Sequence, residues 1–480
     1  MMQLQELIGR ENEKGQLMAA LESNKPELVA LIGRRRVGKT FLVRKTYEKH
    51  IVLEVTGLQK NNQQAQLQNF LVSMQSYGLV TDADKKPGNW LETFFLLTQK
   101  LQQLDTQKKY VVFFDELPWM AGKRSDFISG FSYFWNSWAS KQNIVVVICG
   151  SATSWMIEKV INDRGGLHNR VTNLLHLHPF DLKKVEVFLE SKNIRYPRYQ
   201  TLLLYMAIGG IPMYLDFIRK DLSVVQNINA LCFKETGFLH NEFDRLFPAL
   251  FDRPERHVAI VEALSTKQKG LTRTELLKIT GLPNGGTFSK TLKELQQSDF
   301  VKLFFGIGRK KKDALYRLTD TYSLFYLSQI SPNKDSQSLD FEQLFATAAF
   351  KSWSGYAYEN VCFEHIAQIK FKLGISGVLT KIYSYVSKAT DDLPGTQIDL
   401  LIDRMDQAIH LCEIKFSQNE FILDKKTTEN IRQKKTIFQH NTKTKKHIFT
   451  TFITTYGMVD NKWKKESVDQ NLTMDDLFEA

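Results

Sequence analysis

The chain has 480 residues, 43% of them hydrophobic and 24% charged. This is a soluble globular balance in a chain too long for one core, so about three domains are expected. Lys and Arg outnumber Asp and Glu by 64 to 52, a net +12, which suits nucleic acid but equally serves solubility and protein contacts. No apolar run approaches the ~18 residues of a membrane span, no basic segment precedes an apolar stretch at the start, and Cys149, Cys232, Cys362 and Cys412 lack metal-ligand spacing; the expectation is a cytoplasmic protein with buried reduced thiols and no membrane partner.

Strand-like and helix-like runs alternate through the first half. Leu28–Ile32 is a short apolar run before a glycine turn, and Lys39–Tyr47 reads as a helix. Ile51–Val55 is a second strand and Trp90–Leu104 has helical spacing. Tyr110–Phe114 and Ile144–Cys149 are continuous apolar runs of the buried-strand type. Such runs alternating with helices predict a parallel sheet covered on both faces. Phe131, Phe134, Trp135 and Trp138 recur at helical spacing and read as core.

Gly33-Arg34-Arg35-Arg36-Val37-Gly38-Lys39-Thr40 fits G-x-x-x-x-G-K-[ST], between a strand and a helix as that motif requires. Gly33 and Gly38 let successive backbone N–H groups point at phosphate oxygens, and the helix N-terminus adds its dipole. Lys39 is placed for the terminal phosphates and Thr40 for magnesium, with Phe41 next in the nucleotide-contacting stretch. ATP and Mg2+ are the expected cofactors. Tyr110–Phe114 ends in Asp115-Glu116, which suits a magnesium-holding carboxylate followed by a residue that orients the attacking water. Ile144–Cys149 ends in Gly150-Ser151, placing Ser151 to sense the γ-phosphate.

The boxes Leu7-Ile8-Gly9-Arg10-Glu11, Gly33–Thr40, Phe113–Glu116, Cys149–Ser151, Asn169-Arg170, Leu177–Phe180 and Gly209–Pro212 follow one another in order. In this order the chain, over about Met1 to Ile330, resembles the archaeal-type ATPases of the AAA+/STAND region of P-loop proteins. The resemblance implies that Ile8, Gly9 and Arg10 lie near the adenine. It implies that Arg170 faces the phosphates or a neighbouring subunit, and that Gly209–Pro212 leads a helical lid. A glycine precedes the matched arginine in many relatives, whereas Asn169 stands here; a helix-end surface arginine is the other reading of Arg170.

From about Leu182 the pattern turns helical, with Val185–Ser191, Tyr199–Ile208 and Pro212–Ile218 as the lid. Arg256–Leu264, Thr272–Thr280 and Thr287–Gln297 are three further helices, the second with Thr272 or Thr274 as N-cap and Gly281 as C-cap. Strands Phe300–Phe305 and Ala314–Leu318 flank Gly306–Asp313. These are the parts of a winged helix. Its third helix offers Ser289, Lys290 and Lys293, and its wing carries Arg309, Lys310, Lys311 and Lys312. DNA contact is one reading, and packing between domains is the other.

Ser331–Asp340 is polar and aperiodic, a linker. Beyond it, Trp353–Ile366 reads as a helix carrying Glu359. Gln397–Asp403 and Ala408–Lys415 form a hairpin around Arg404–Gln407, then come a helix near Glu420–Gln439 and a strand His447–Thr451. Residues two apart on a strand share a face, so Glu413 and Lys415 point together and Asp399 can face them. Asp399 and Glu413 as magnesium ligands, with Lys415 positioning water, suit phosphodiester cleavage. This order resembles the PD-(D/E)XK nucleases, to which Glu359, Asp399, Glu413 and Lys415 are matched. The basic run Lys425–Lys446 is either a phosphate-contacting helix or a solvated face.

The expected architecture is α/β and multidomain. It comprises a P-loop parallel-sheet core over 1–180, a helical lid over 181–250, a winged helix over 251–330, a linker over 331–340, and a restriction-endonuclease-like α/β domain over 341–480. The expected function is ATP binding and hydrolysis controlling a nuclease-like, DNA-binding tail. The alternative is a signalling switch with a non-cleaving binding module. DNA, proteins and further copies of the chain are the partners considered.

Overall fold

The structure is a computed structural model that describes residues 7–479, apart from 106, 123–124, 164, 268, 308–312, 335–339 and 390–392. It divides into two compact units, Met1–Pro179 and Phe180–Ala480.

In the first unit β1 (Glu27–Ile32), β2 (Ile51–Thr56), β3 (Tyr110–Asp115), β4 (Ile144–Gly150) and β5 (Asn173–His176) form one parallel sheet, in the order β2-β3-β4-β1-β5. β1 and β4 are buried along their whole length, as strands covered on both faces must be. One cover is an aromatic layer. Phe94 of the helix Trp90–Leu101 lies 6.0 Å from Phe114 and 5.9 Å from Phe131, ring centre to ring centre. Phe131, Phe134 and Trp135 are buried, while Tyr133 faces out at 51% exposure, so the cluster is core. Each such ring contributes roughly 1.5–3 kcal/mol by leaving water. The Trp90 helix begins at Asn89, whose side chain accepts the Glu92 N–H. It stops at Leu101, short of the expected Leu104, where Gln103 and Leu104 turn back with i→i+3 bonds.

Because all five strands are parallel, the carboxyl ends of β1, β3 and β4 lie along one edge. That edge is where ligands bind in open α/β sheets.

The second unit opens with the helices Leu182–Ser191, Arg198–Ile208 and Pro212–Asp216. Then come the helices Pro254–Ser265, Arg273–Thr280 and Gly286–Gln297 with an antiparallel sheet β6-β8-β7. Its strands are β6 (Leu271–Thr272), β7 (Val301–Phe304) and β8 (Leu315–Leu318). Thr272 is the N-cap, in a reciprocal capping box with Glu275, and Gly281 closes the helix at φ 65°. The basic tip Arg309–Lys312 lies outside the described residues. The stretch 331–340 is not wholly irregular: Ser331–Asn333 continues the preceding helix as a 3₁₀ turn.

The last sheet has the order β13-β12-β11-β10-β9. β9 (Thr380–Ser387), β10 (Thr396–Arg404) and β11 (Ala408–Lys415) are antiparallel. β12 (His447–Thr454) and β13 (Gln470–Leu472) continue parallel to β11. The helix Ala348–Glu364 packs beside it. The helix Lys425–Thr442 starts later than Glu420 because Asp424 is its N-cap, accepting the Thr427 N–H. No helix among the described residues is long and apolar enough to cross a membrane.

Candidate functional site

β1 delivers the chain to Gly33, whose φ is 140° and where a Cβ would stand 2.3 Å from the Leu177 carbonyl oxygen. Only glycine meets both conditions. Gly38, at φ 93°, starts the helix Lys39–Tyr47. The Lys39 ammonium donates to Gly33 O (2.8 Å), Arg34 O (2.9 Å) and Ser151 Oγ (3.3 Å). Burial lowers its pKa from the ordinary lysine value, against the fields of Cys149, Glu116 and Asp115.

Thr40 Oγ1 donates to Asp115 Oδ2 at 2.9 Å. The other Asp115 oxygen accepts the Cys149 thiol (2.6 Å) and the Glu116 N–H (3.0 Å). Cys149 therefore orients Asp115, and burial pushes its own pKa well up, so it acts as a neutral donor. Glu116 holds the left-handed conformation, φ 47° and ψ 50°, which costs a non-glycine residue about 1 kcal/mol or more. Its carboxylate accepts the Ser151 N–H at 2.9 Å and the Ser151 hydroxyl in a short bond. Lys39, Thr40, Asp115, Glu116 and Ser151 are thus one hydrogen-bonded set.

The Arg10 guanidinium is buried and donates to Val37 O (3.1 Å) and His178 O (2.8 Å), bracing the loop from behind. Gly9 N–H donates to Glu11 Oε1 at 3.0 Å and Ile8 is half-buried beside it. Arg34 and Val37 are buried, Arg35 and Arg36 half-buried, and Phe41 exposed. Arg170 is exposed, on a turn where its N–H donates to Leu167 O; no bond to the phosphate-loop set is seen among the described residues. Asn169 before it sits at φ 52°. That explains how it replaces a glycine: asparagine is among the few residues that tolerate this region.

The second constellation lies in the other unit. The register Leu400↔Cys412 brings Asp399 beside Glu413 and Lys415, and the pairing of β10 with β9 shifts register between Ile398 and Leu401. Asp399 Oδ2 accepts the Ile414 N–H at 3.0 Å and lies 3.9 Å from Lys415 Nζ. Lys415 Nζ is 3.3 Å from Glu413 Oε2. Burial and the Asp399 charge raise the Glu359 pKa to about 7 and raise that of Glu413. Burial opposes the Lys415 ammonium, but Glu413, Asp399 and Glu359 hold its pKa above the ordinary value. The four matched residues therefore share one electrostatic site. Asp399 and Glu413 are close neighbours, but with Glu359 they do not bring three carboxylate oxygens within 4.8 Å of one another, and lysines occupy the Glu413 oxygens.

Lys434 joins this cluster, although sequence reading did not single it out. Its Nζ donates to Glu413 Oε1 at 2.5 Å. In the sequence it is one of many cations in Lys425–Lys446, and only packing distinguishes it. Lys435 and Lys446 are also taken up, by Ile448 O and by Asp403.

The phosphate loop, the strand-end carboxylate and the parallel sheet define the first unit as a P-loop ATPase-type α/β fold. Residues 7–218 match a family described as an ATPase domain predominantly from Archaea. An uncharacterized protein of Methanocaldococcus jannaschii is 24% identical over 367 residues, 75% of this chain and 77% of that protein. Among solved structures, the chain is similar to a Walker-type ATPase of Pyrococcus abyssi, at 18% identity and TM-score 0.48, covering 67% of this chain and 96% of the other. It is also similar to the ORC2 protein of Aeropyrum pernix, at 16% identity and TM-score 0.44, covering 67% and 93%.

Proposed function

We propose that the chain binds ATP with magnesium at Gly33–Thr40 and hydrolyses it, and that its nucleotide state controls a nuclease-like, nucleic-acid-binding region over 341–480. A helical lid over 181–250 and a winged helix over 251–330 precede that region in this reading. The observation that carries the ATPase part is the 2.9 Å contact of Thr40 with Asp115, with Lys39 reaching Ser151 beside it.

Thr40 and Asp115 would hold magnesium, which when bound draws charge from the phosphates. Lys39 exchanges its loop carbonyls for phosphate oxygens. Glu116 orients the attacking water once its carboxylate leaves Ser151, and Ser151 is then released toward the γ-phosphate. In this reading Ile8, Gly9 and Phe41 lie near the nucleotide, Arg10 braces the phosphate loop beside them, and Arg170 faces the phosphates or a neighbouring subunit. In the second site Asp399 and Glu413 would hold a divalent cation that supplies Lewis-acid help to phosphodiester cleavage, with Lys415 placing the water and Glu359 as the helix glutamate beside them.

A second reading, a binding module without cleavage, is favoured by one observation: Lys434 and Lys415 together occupy both oxygens of Glu413. ATP turnover and Mn2+-dependent cutting of DNA and RNA separate the readings. Lys39→Ala is expected to lose ATP binding; unchanged binding would refute the ATPase assignment. Cleavage that Glu413→Ala and Lys415→Ala each abolish supports the nuclease. No cleavage by wild type under Mg2+ or Mn2+ leaves the binding module.

A further inference from the structure

The helix Leu182–Ser191 begins on a buried residue, and the last domain completes its start. Of its orphan N–H groups, that of Lys184 is accepted by the Asp181 side chain at 2.8 Å. That of Leu182 is accepted by His365 Nε2 at 3.0 Å. His365 stands where the helix Ala348–Glu364 ends, is fully buried, and donates its Nδ1–H to Val361 O at 2.8 Å. Its other nitrogen is therefore a fixed acceptor, and burial, which lowers its pKa from 6.5, keeps the ring neutral. The next helix, Arg198–Ile208, makes a second grip. Tyr199 stacks on Phe416 (5.8 Å between ring centres, 15° between planes) and on Tyr456 (5.6 Å, 25°). Arg198 pairs with Asp475 at 3.2 Å and lies 4.9 Å from the Phe478 ring.

Both grips fall next to the charge cluster of the last domain. Phe416 directly follows Lys415. Its ring also meets Tyr358, the residue before Glu359, at 5.6 Å, and Tyr358 OH donates to Thr454 O at 3.1 Å. His365 ends the helix that carries Glu359. Packing alone does not call for an imidazole there: an apolar side chain would fill the space but leave the buried Leu182 N–H unpaired. On the other side of Leu182 the chain comes from the phosphate loop. Leu177 N–H donates to Ile32 O at 2.9 Å, Leu177 O stands against Gly33, and Arg10 holds His178 O at 2.8 Å. The backbone 177–182 is thus tied to the phosphate loop at one end and to His365 at the other.

We propose that these two grips form a latch through which the nucleotide state reaches the last domain. The backbone 177–182 passes a change at the phosphate loop to His365, and Tyr199 passes the position of the lid helices to Phe416. The inference rests on the ATPase and lid reading, and it names the route by which that reading's control is exerted. A nucleotide moves the last domain only as far as it favours one state of the latch over the other. No metal at the second site is required.

The test uses the full-length chain carrying Glu116→Gln, with ATP and Mg2+ as the probe and hydrogen–deuterium exchange as the readout. With ATP bound, amide exchange over 181–184 and over 416–423 is expected to change together by about fivefold or more, the scale of a coupling between two sites. Tyr199→Ala is expected to keep the ATP affinity and the response over 181–184, and to lose the response over 416–423. His365→Leu fills the space without an acceptor and should lose the response at the end of the helix Ala348–Glu364. His365→Gln, whose amide oxygen can accept the Leu182 N–H, should retain it. Melting curves of every variant are recorded alongside. Purely structural contacts would lower the melting midpoint and leave every ATP response in place, which would overturn the proposal. A parent chain that binds ATP without any change over 416–423 would overturn it too, while leaving the ATPase reading intact. If His365→Leu does not fold, a full response over 416–423 in Tyr199→Ala overturns the latch by itself. Should the parent bind no ATP, the ATPase reading fails first and takes the latch with it, a result visible before any latch variant is made.

Discussion

Glu116 combines a left-handed backbone with a carboxylate locked on Ser151. Strain of this kind persists only where the surroundings hold it, and it clusters at functional sites. Glu116→Gln keeps shape and a hydrogen-bonding amide but cannot polarise water as a carboxylate does. It is expected to bind ATP as wild type does while hydrolysis falls by about 10²-fold or more, measured as phosphate release at saturating ATP. Loss of binding and turnover together would instead make Glu116 structural.

His410 gives a second expectation at this scale. Arg404 Nη1 donates to His410 Nε2 at 3.1 Å, so the ring is neutral and its Nδ1–H faces Thr451 Oγ1 at 2.9 Å. Burial, then the Arg404 charge, lowers its pKa from 6.5 to about 4, while Asp406 and Asp469 pull the other way. The unfolded histidine takes up its proton first as pH falls. The stability it lends is therefore full above pH 6.5 and lost as pH drops toward 4. His410→Gln should flatten the urea-midpoint profile across that window. Parallel wild-type and variant profiles would refute the assignment.

Among the elements, the helix Trp90–Leu101 owes its place to one apolar face. Phe94 lies within 6.0 Å of Phe70, Trp90, Phe114, Phe127, Phe131 and Phe134 by ring centres. Phe94→Ala leaves a cavity in that layer and should cost about 3–5 kcal/mol, read from denaturant unfolding. A cost below ~1 kcal/mol would mean that the layer collapses around the hole. Periodicity exposed this helix because its apolar and polar faces contrast. The helices Glu11–Glu22 and Gln63–Ser76 have little contrast, with only Leu17, Ala20 and Leu21 buried in the first, and they escaped sequence reading for that reason. β9 escaped too, being half-buried along most of its length rather than cleanly alternating.

For the whole molecule, the excess of 64 − 52 = 12 positive charges is less available than the count implies. Lys434, Lys435 and Lys446 are engaged inside the last domain. Lys426, Lys443 and Lys445 are exposed. If the last domain binds DNA through its basic segment, affinity should fall steeply between ~50 and ~200 mM salt. Replacing Lys426, Lys443 and Lys445 by alanine should lower the log–log salt slope by about 0.9 for each phosphate that is no longer neutralised. A slope that the triple variant leaves unchanged would place the DNA surface elsewhere.

Nearly all of the first candidate site can be read along the chain before folding. Gly33, Gly38, Lys39 and Thr40 are near neighbours in one loop, and Asp115 and Ser151 are announced by the apolar strands that end at them. Local backbone chemistry and strand order suffice there, because a parallel sheet brings all strand ends to one edge. The sequence also indicated that Asp399, Glu413 and Lys415 share a face, since a hairpin with period-two side chains allows little else. Tertiary structure alone decided which cations those carboxylates meet. Arg317 is 42 residues before Glu359 and Lys434 is 21 after Glu413, and no periodicity links either pair. Cys149 was read as a buried thiol and became the donor to Asp115 only when β3 and β4 were paired. Charge partners of this kind are set by packing between elements, and a one-dimensional pattern carries no record of that.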